Sequence, residues 1–254
     1  MKYDYVKNIY IVFAMKRSGH HGVMDWIRFS HENNTVFYND CKYGENPHDG
    51  CYNFWVNDKV YKRTALENDI FPKEANCLMW NYEDFDLDLY DEETTKKMIN
   101  SITKKYDNLF LITVSRDSFN QQASTYFGTD KRRGIDLDLW KKYAREHLKT
   151  DSKIPDSINI DYSLWIKDEK KRTLYNKICG TKPFFPLYKI VSPHGDGSSF
   201  HRGEVNARIA TLNANNRWKK ILGTKEFELV CDDKEVMELA REMYGENYMN
   251  KIKR

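Results

Sequence analysis

Apolar residues along this chain gather into short runs, separated by polar stretches of helical spacing. Asn8 to Ala14 (NIYIVFA) is β-branched and aromatic without polar alternation, the pattern of a strand covered on both faces within a parallel sheet. After Met15 to Gly19 the spacing changes, and Val23, Met24 and Ile27 can share one buried helix face. The unit predicted is strand, tight turn, helix. A second apolar run, Cys77 to Tyr82, stops at Glu83-Asp84, and a third, Leu109 to Val114, stops at Ser115-Arg116-Asp117. Between them the acidic start Asp91-Glu92-Glu93 predicts a helix running to about Tyr106.

Further on, Ser118 is placed to cap a short helix through Phe127, with Gly128 just past its end, and Asp136 to Leu148 carries another helical pattern. Ile158 to Asp161 predicts a short strand, followed by a charged helix from about Leu164 to Cys179 that Gly180 ends. Two more helices are expected, near Val205 to Ile221 and from about Lys234 to Tyr244. Asn39 to Asp58 has no period and reads as a long loop, whose Tyr43, Tyr52, Phe54 and Trp55 either stack on a ligand or pin the loop to the core. With no repeat and no low-complexity linker, one domain over 1–254 is expected. Strands alternating with helices predict an α/β fold, a P-loop-like and mainly parallel central sheet flanked by helices.

Composition narrows the function. The 254 residues carry 41 Lys+Arg against 38 Asp+Glu, a formal charge of +3, so there is no global basic footprint for nucleic acid. The pairs Lys141-Lys142 and Lys170-Lys171 alternate with acids and read as solvated helix faces. No window holds the 18 or so apolar residues of a membrane span, and the amino-terminal apolar stretch is too short for a signal peptide, which predicts a cytoplasmic protein with no membrane partner. Five cysteines without a CxxC pair argue against a disulfide framework and a four-thiolate zinc site, and His48 with Cys51 would supply only two ligands. Any anion site must therefore be local.

Ligands of open parallel sheets bind beyond the carboxyl ends of the strands, which directs attention to the first turn, Ala14 to Gly22 (AMKRSGHHG). Against the phosphate-binding pattern GxxxxGK[ST], Ala14 replaces the first glycine, Gly19 keeps the second, and His20-His21 replace the Lys-Ser/Thr pair. Backbone N–H groups of Ser18 to Gly22 can still face an anion from a helix N-terminus, while Lys16 and Arg17 add positive charge. The hydroxyl that holds Mg²⁺ is missing. That argues against ATP-driven phosphoryl transfer, no metal is expected, and a less highly charged transferred group fits better.

The segment KRSGHH resembles the 5′-phosphosulfate loop of the sulfotransferases that use 3′-phosphoadenosine 5′-phosphosulfate (PAPS), in particular a bacterial and viral branch with paired histidines. Arg116, at the end of the third strong strand, is followed eight residues later by Ser124 (SRDSFNQQAS), similar to the Arg and Ser with which the family binds the 3′-phosphate of the donor. Arg supplies a bidentate fork, and a capped helix would bring a hydroxyl and its positive dipole end to the same anion. Tyr162 is similar to a nucleotide-contacting Tyr, Ser198-Ser199-Phe200 to a segment near the adenosine, and Arg202-Gly203 to a late element that grips the 3′-phosphate. The sequence departs from the family in Arg17 for Lys, in Gly22 where many members have Trp, and in the closeness of Arg202 to Phe200.

The resemblance implies the sulfotransferase fold, PAPS as co-substrate and PAP, the 3′,5′-bisphosphate of adenosine, as product. It implies donor binding by Lys16, Arg17, Ser18, Gly19, His20, His21, Gly22, Arg116, Ser124, Tyr162, Ser199, Phe200 and Arg202. It also implies in-line attack on sulfur by an acceptor hydroxyl or amine on a glycan, phenol or other small molecule. Arg17 and His20 are expected to stabilise charge on the bridging oxygen, and Glu83 to act as base, with Asp84 or His20 as alternatives. A P-loop kinase and a non-catalytic nucleotide-binding protein of the same fold are the competing readings.

Overall fold

The computed structural model describes residues 3–31, 34–57, 59–62, 71–127, 134–181 and 214–252. Its centre is the strand β1 (Tyr5–Ala14), from which a helix α1 (His20–Phe29) leaves after a five-residue turn. The chain then forms β2 (Thr35–Asn39), a one-turn helix α2 (Pro47–Gly50), and the strands β3 (Asn53–Val56) and β4 (Lys59–Lys62). Next come β5 (Glu74–Glu83), α3 (Glu92–Ile102), β6 (Tyr106–Ser115), α4 (Ser118–Tyr126), α5 (Leu137–Leu148) and β7 (Ile158–Asp161). Six further helical segments follow among the described residues: α6 (Tyr162–Trp165), α7 (Glu169–Ile178), a 3₁₀ turn at Arg217–Lys220, α8 (Lys225–Asp232), α9 (Lys234–Tyr244) and α10 (Glu246–Ile252).

The sheet order is β4-β3-β2-β5-β1-β6-β7. β2, β5, β1, β6 and β7 run parallel, while β3 and β4 add an antiparallel edge. The α/β class with a mainly parallel sheet is thus the observed one. Ile9, Ile11 and Phe13 of β1 enter one core with Met98, Trp140, Phe227 and Met249, and the alternate residues Tyr10, Val12 and Ala14 enter the other with Val23, Trp26 and Trp165. This two-residue alternation between two apolar layers explains the absence of polar alternation in the strand's sequence. Register aligns Ala14 with Glu83 of β5 and with Val114 of β6, so the three strand ends open on one crevice.

Several element expectations need correction. The segment read as one long loop from Asn39 to Asp58 contains α2 and β3, because Phe54 and Trp55 are buried as strand residues. Tyr43 packs on Tyr82 and Phe85, and only Tyr52 of the four aromatics stands out, at 75% exposure. α4 is capped by Asp117, whose side chain accepts from the Asn120 N–H, rather than by Ser118. The helix after Asp91 ends at Ile102, since Tyr106 already begins β6. One expected helix, Leu164 to Cys179, is two, because Asp168 caps a fresh start. Near Ile221 the described residues hold only the 3₁₀ turn, and α8 and α10 were not foreseen.

Candidate active site

The turn after β1 is fixed by three hydrogen bonds, two to Asp84 and one to Gln121. The Lys16 N–H donates to Asp84 Oδ1 at 2.8 Å, the Asp84 N–H donates to the Ala14 carbonyl at 2.8 Å, and Gln121 Nε2 donates to the Lys16 carbonyl at 2.9 Å. Arg17 takes a left-handed φ of 65°, and Gly19, the N-cap of α1, has φ 87°. Within the expected cradle the Ser18 N–H turns back to the Met15 carbonyl at 3.2 Å and that of Gly22 to the Gly19 carbonyl at 3.0 Å. The part of the cradle directed outward is therefore narrower than Ser18 to Gly22, and centres on the first residues of α1.

The two histidines project from the start of α1 toward the end of β5. His20 Nδ1 lies 3.2 Å from Ser18 Oγ, and its Nε2 lies 3.1 Å from Glu83 Oε1. His21 Nε2 is 3.4 Å from the same Glu83 oxygen and 3.1 Å from Asn39 Oδ1. Burial alone would raise the Glu83 carboxyl, but the His20 hydrogen bond and the charges of His20, His21 and Lys16 outweigh it and hold it at about 2. Burial, helped by His20, pulls His21 down to about 4 against the opposing Glu83 charge. Asp40, at the end of β2, is raised by burial and by the neighbouring Glu83 charge. It is a carboxyl of this crevice that sequence reasoning missed, since only the pairing of β2 with β5 brings it there.

A second cluster forms at the end of β6. Arg116 Nη1 donates to Ser124 Oγ at 3.0 Å and to the Arg17 carbonyl at 3.1 Å, and its Nη2 donates to the Ala214 carbonyl at 2.5 Å. Arg217 Nη1 meets the same Ser124 hydroxyl at 2.9 Å. Burial, with repulsion from Arg116 and Arg17, lowers Arg217 to about 9. Two guanidinium groups, Arg116 and Arg217, drawn together on one buried hydroxyl suit a doubly charged anion. Arg116 Nε, buried, has no hydrogen-bond partner among the described residues. Ser124 sits in the second half of α4 and Asp117 already occupies the helix start, so guanidinium groups and a hydroxyl build this site without the expected help from the α4 dipole. Arg217 was missed; its signal was the basic, Trp-centred stretch Arg217-Trp218-Lys219-Lys220.

Tyr162 opens α6 just past β7, and its ring lies against both clusters: it faces the Arg116 guanidinium at 5.3 Å and packs on Gly19. Ser199, Phe200 and Arg202 lie outside the described residues. The structure thus brings together Lys16 to Gly22, Glu83, Arg116, Ser124 and Tyr162. No helix among the described residues is long and apolar enough to cross a membrane.

No family model and no curated protein matches the chain. Solved structures do. The sulfotransferase domain from the Synechococcus PCC 7002 olefin synthase superposes with a TM-score of 0.51 at 12% identity, over 96% of this chain and 96% of that one. Lower scores come from the sulfotransferase domain of the curacin biosynthetic pathway (0.47, 12% identity, 94% of this chain and 98% of that chain) and from mouse sulfotransferase SULT7A1 complexed with PAP (0.45, 12% identity, 97% and 88%). The seven-stranded α/β architecture is the sulfotransferase fold.

Proposed function

We propose that this chain transfers a sulfuryl group from PAPS to a hydroxyl or amine of a small-molecule or glycan acceptor. The observation that carries this reading is a pair of anion sites at adjacent strand ends, the turn Lys16 to Gly22 after β1 and the Arg116–Ser124–Arg217 cluster after β6. They are tied to each other by the Arg116 to Arg17 hydrogen bond. A nucleotide phosphorylated at both 3′ and 5′ positions supplies two anionic ends, and the two sites offer one cradle to each. The 5′-phosphosulfate end lies in the turn, where Arg17 faces the bridging oxygen that gathers charge as the S–O bond breaks. The 3′-phosphate lies among Arg116, Ser124 and Arg217, a group that Arg217 joins beside the residues named from sequence.

Glu83 accepts the proton of the attacking acceptor. Its carboxylate stands beside the turn through the Ala14 register and is ionised at neutral pH; held at about 2 it is a weak base, so it takes the proton late, as the acceptor oxygen bonds to sulfur and becomes acidic. His20, engaged by Ser18 on one nitrogen and Glu83 on the other, is a positioning residue for that carboxylate. The test is thermal unfolding with PAP in metal-free buffer. Ligand at about 100 times its dissociation constant stabilises by roughly 2.7 kcal/mol, and Mg-ATP produces no comparable shift. A shift with Mg-ATP and none with PAP overturns the reading in favour of a kinase. PAP binding without acceptor-dependent product in any glycan, phenol or amine panel favours a non-catalytic nucleotide-binding protein.

A further inference from the structure

We propose that His20, His21 and Glu83 form a binding site for a divalent transition-metal ion of the zinc class. A nitrogen of each histidine and one Glu83 oxygen lie within 4.8 Å of one another. Both nitrogens converge on the same oxygen, at 3.1 and 3.4 Å. A tetrahedral ion with metal–nitrogen bonds of about 2.0–2.1 Å has ligand–ligand edges of about 3.3 Å, so these spacings are already those of a coordination shell. Two imidazoles and a carboxylate suit zinc, nickel, copper or iron and do not suit magnesium, which demands oxygen ligands. The site is thus unrelated to the Mg²⁺ chemistry that the turn lacks.

The surroundings support ligation. Ser18 Oγ stands 3.2 Å from His20 Nδ1; when a metal replaces the hydrogen bond between Nε2 and Glu83, the tautomer with Nδ1–H donating to Ser18 leaves the Nε2 lone pair for the metal, the usual partner arrangement behind a metal-bound histidine. His20 is 2% exposed, and the two rings are held 4.2 Å apart at the rigid start of α1. Asn39 Oδ1, 3.1 Å from His21 Nε2, offers a further oxygen at the rim. The carboxyls of Asp40 and Asp84 flank Glu83 and offset the positive charge of Lys16, which itself pairs with Asp84 at 3.8 Å.

Binding of the ion stands independently of the sulfuryl-transfer reading; one consequence rests on that reading, because a bound ion occupies the Glu83 oxygen that takes the acceptor's proton. Metal then inhibits transfer, and a chelator restores it.

The experiment titrates Co²⁺ into the apo full chain carrying Cys231→Ser, which removes the partly exposed thiol, and follows the visible cobalt band, with Zn²⁺ displacement giving the zinc affinity. One ion per chain is expected. His21→Ala and the isosteric Glu83→Gln, each checked for folding by circular dichroism, are expected to weaken binding by at least about 10- to 100-fold, the loss typical even of groups one shell further out. Absence of a cobalt band, or equal binding by the parent and both variants, overturns the site. PAP binding is measured on the same samples: PAP binding without cobalt binding removes the metal site alone, and cobalt binding without PAP binding removes the nucleotide reading alone.

Discussion

The ring of Tyr162 fills the space where Gly19 would carry a side chain: a Cβ built on Gly19 comes within 2.6 Å of three ring carbons. The first residue of α6, just past β7, thereby sets the shape of the turn after β1, across the strand β6 that separates them. The same ring faces Arg116, so one aromatic side chain braces both the turn after β1 and the Arg116 cluster.

Gly19→Ala therefore meets a steric clash and a φ of 87° that an alanine rarely adopts. Strain of this kind costs about 1–3 kcal/mol, to be measured by urea unfolding, and PAP affinity is expected to fall with it. Adding Tyr162→Leu relieves the clash and leaves the backbone strain, so stability returns only in part.

Arg116→Ala and Arg217→Ala are each expected to discriminate PAP from the nucleotide lacking its 3′-phosphate. Loss of one charge-assisted contact costs on the order of 1.5–3 kcal/mol in PAP affinity, while affinity for the shorter nucleotide barely changes. Calorimetric titration of both ligands reads the difference. Equal weakening of both would falsify the assignment of this cluster to the 3′-phosphate.

Glu83→Gln keeps size and most hydrogen bonding, so donor binding is expected to persist while kcat falls about 10²- to 10⁴-fold. Arg17→Ala is expected to damage binding and turnover together, because its charge meets the phosphosulfate before and during transfer. Asp40→Asn in the same assay measures the share of the second carboxyl in the crevice.

Stability against pH separates three groups by sign. Glu83 is lowered from 4.5 to about 2 and His21 from 6.5 to about 4, so in each the folded state binds its proton less readily than the unfolded chain. Their contribution is complete above pH 6.5 and is lost as pH falls through 4 and then 2. Asp161 behaves oppositely. Burial raises it from 3.8 to about 6, with Asp117 adding to the rise and the Tyr244 hydrogen bond opposing it. Its contribution is present below 3.8 and is lost as pH rises through 6. Urea midpoints from about pH 3 to 8 are expected to lose the slope between 6.5 and 4 in His21→Asn, with the Glu83 slope below 4.5 remaining, and the opposing slope in Asp161→Asn.

The Arg116–Ser124 pair was named from a family resemblance, and by itself the sequence determined the central strands and the turn after the first of them. These are local signals: an unbroken apolar run marks a strand covered on both faces, and a glycine between a strand and a helix marks the turn. It did not reveal β3, whose apolar residues sit in a polar stretch, or the Asp117 cap, which competes with the adjacent Ser118 for the same role. Tertiary structure alone decided which distant residues complete each site. Arg217 reaches Ser124 across 93 positions, Glu83 reaches His20 across 63, and Asp40 enters the crevice because β2 pairs with β5. No periodicity in the chain encodes such contacts, because strand order and register place these side chains, and both are set by burial of the two apolar layers rather than by the residues that face the crevice.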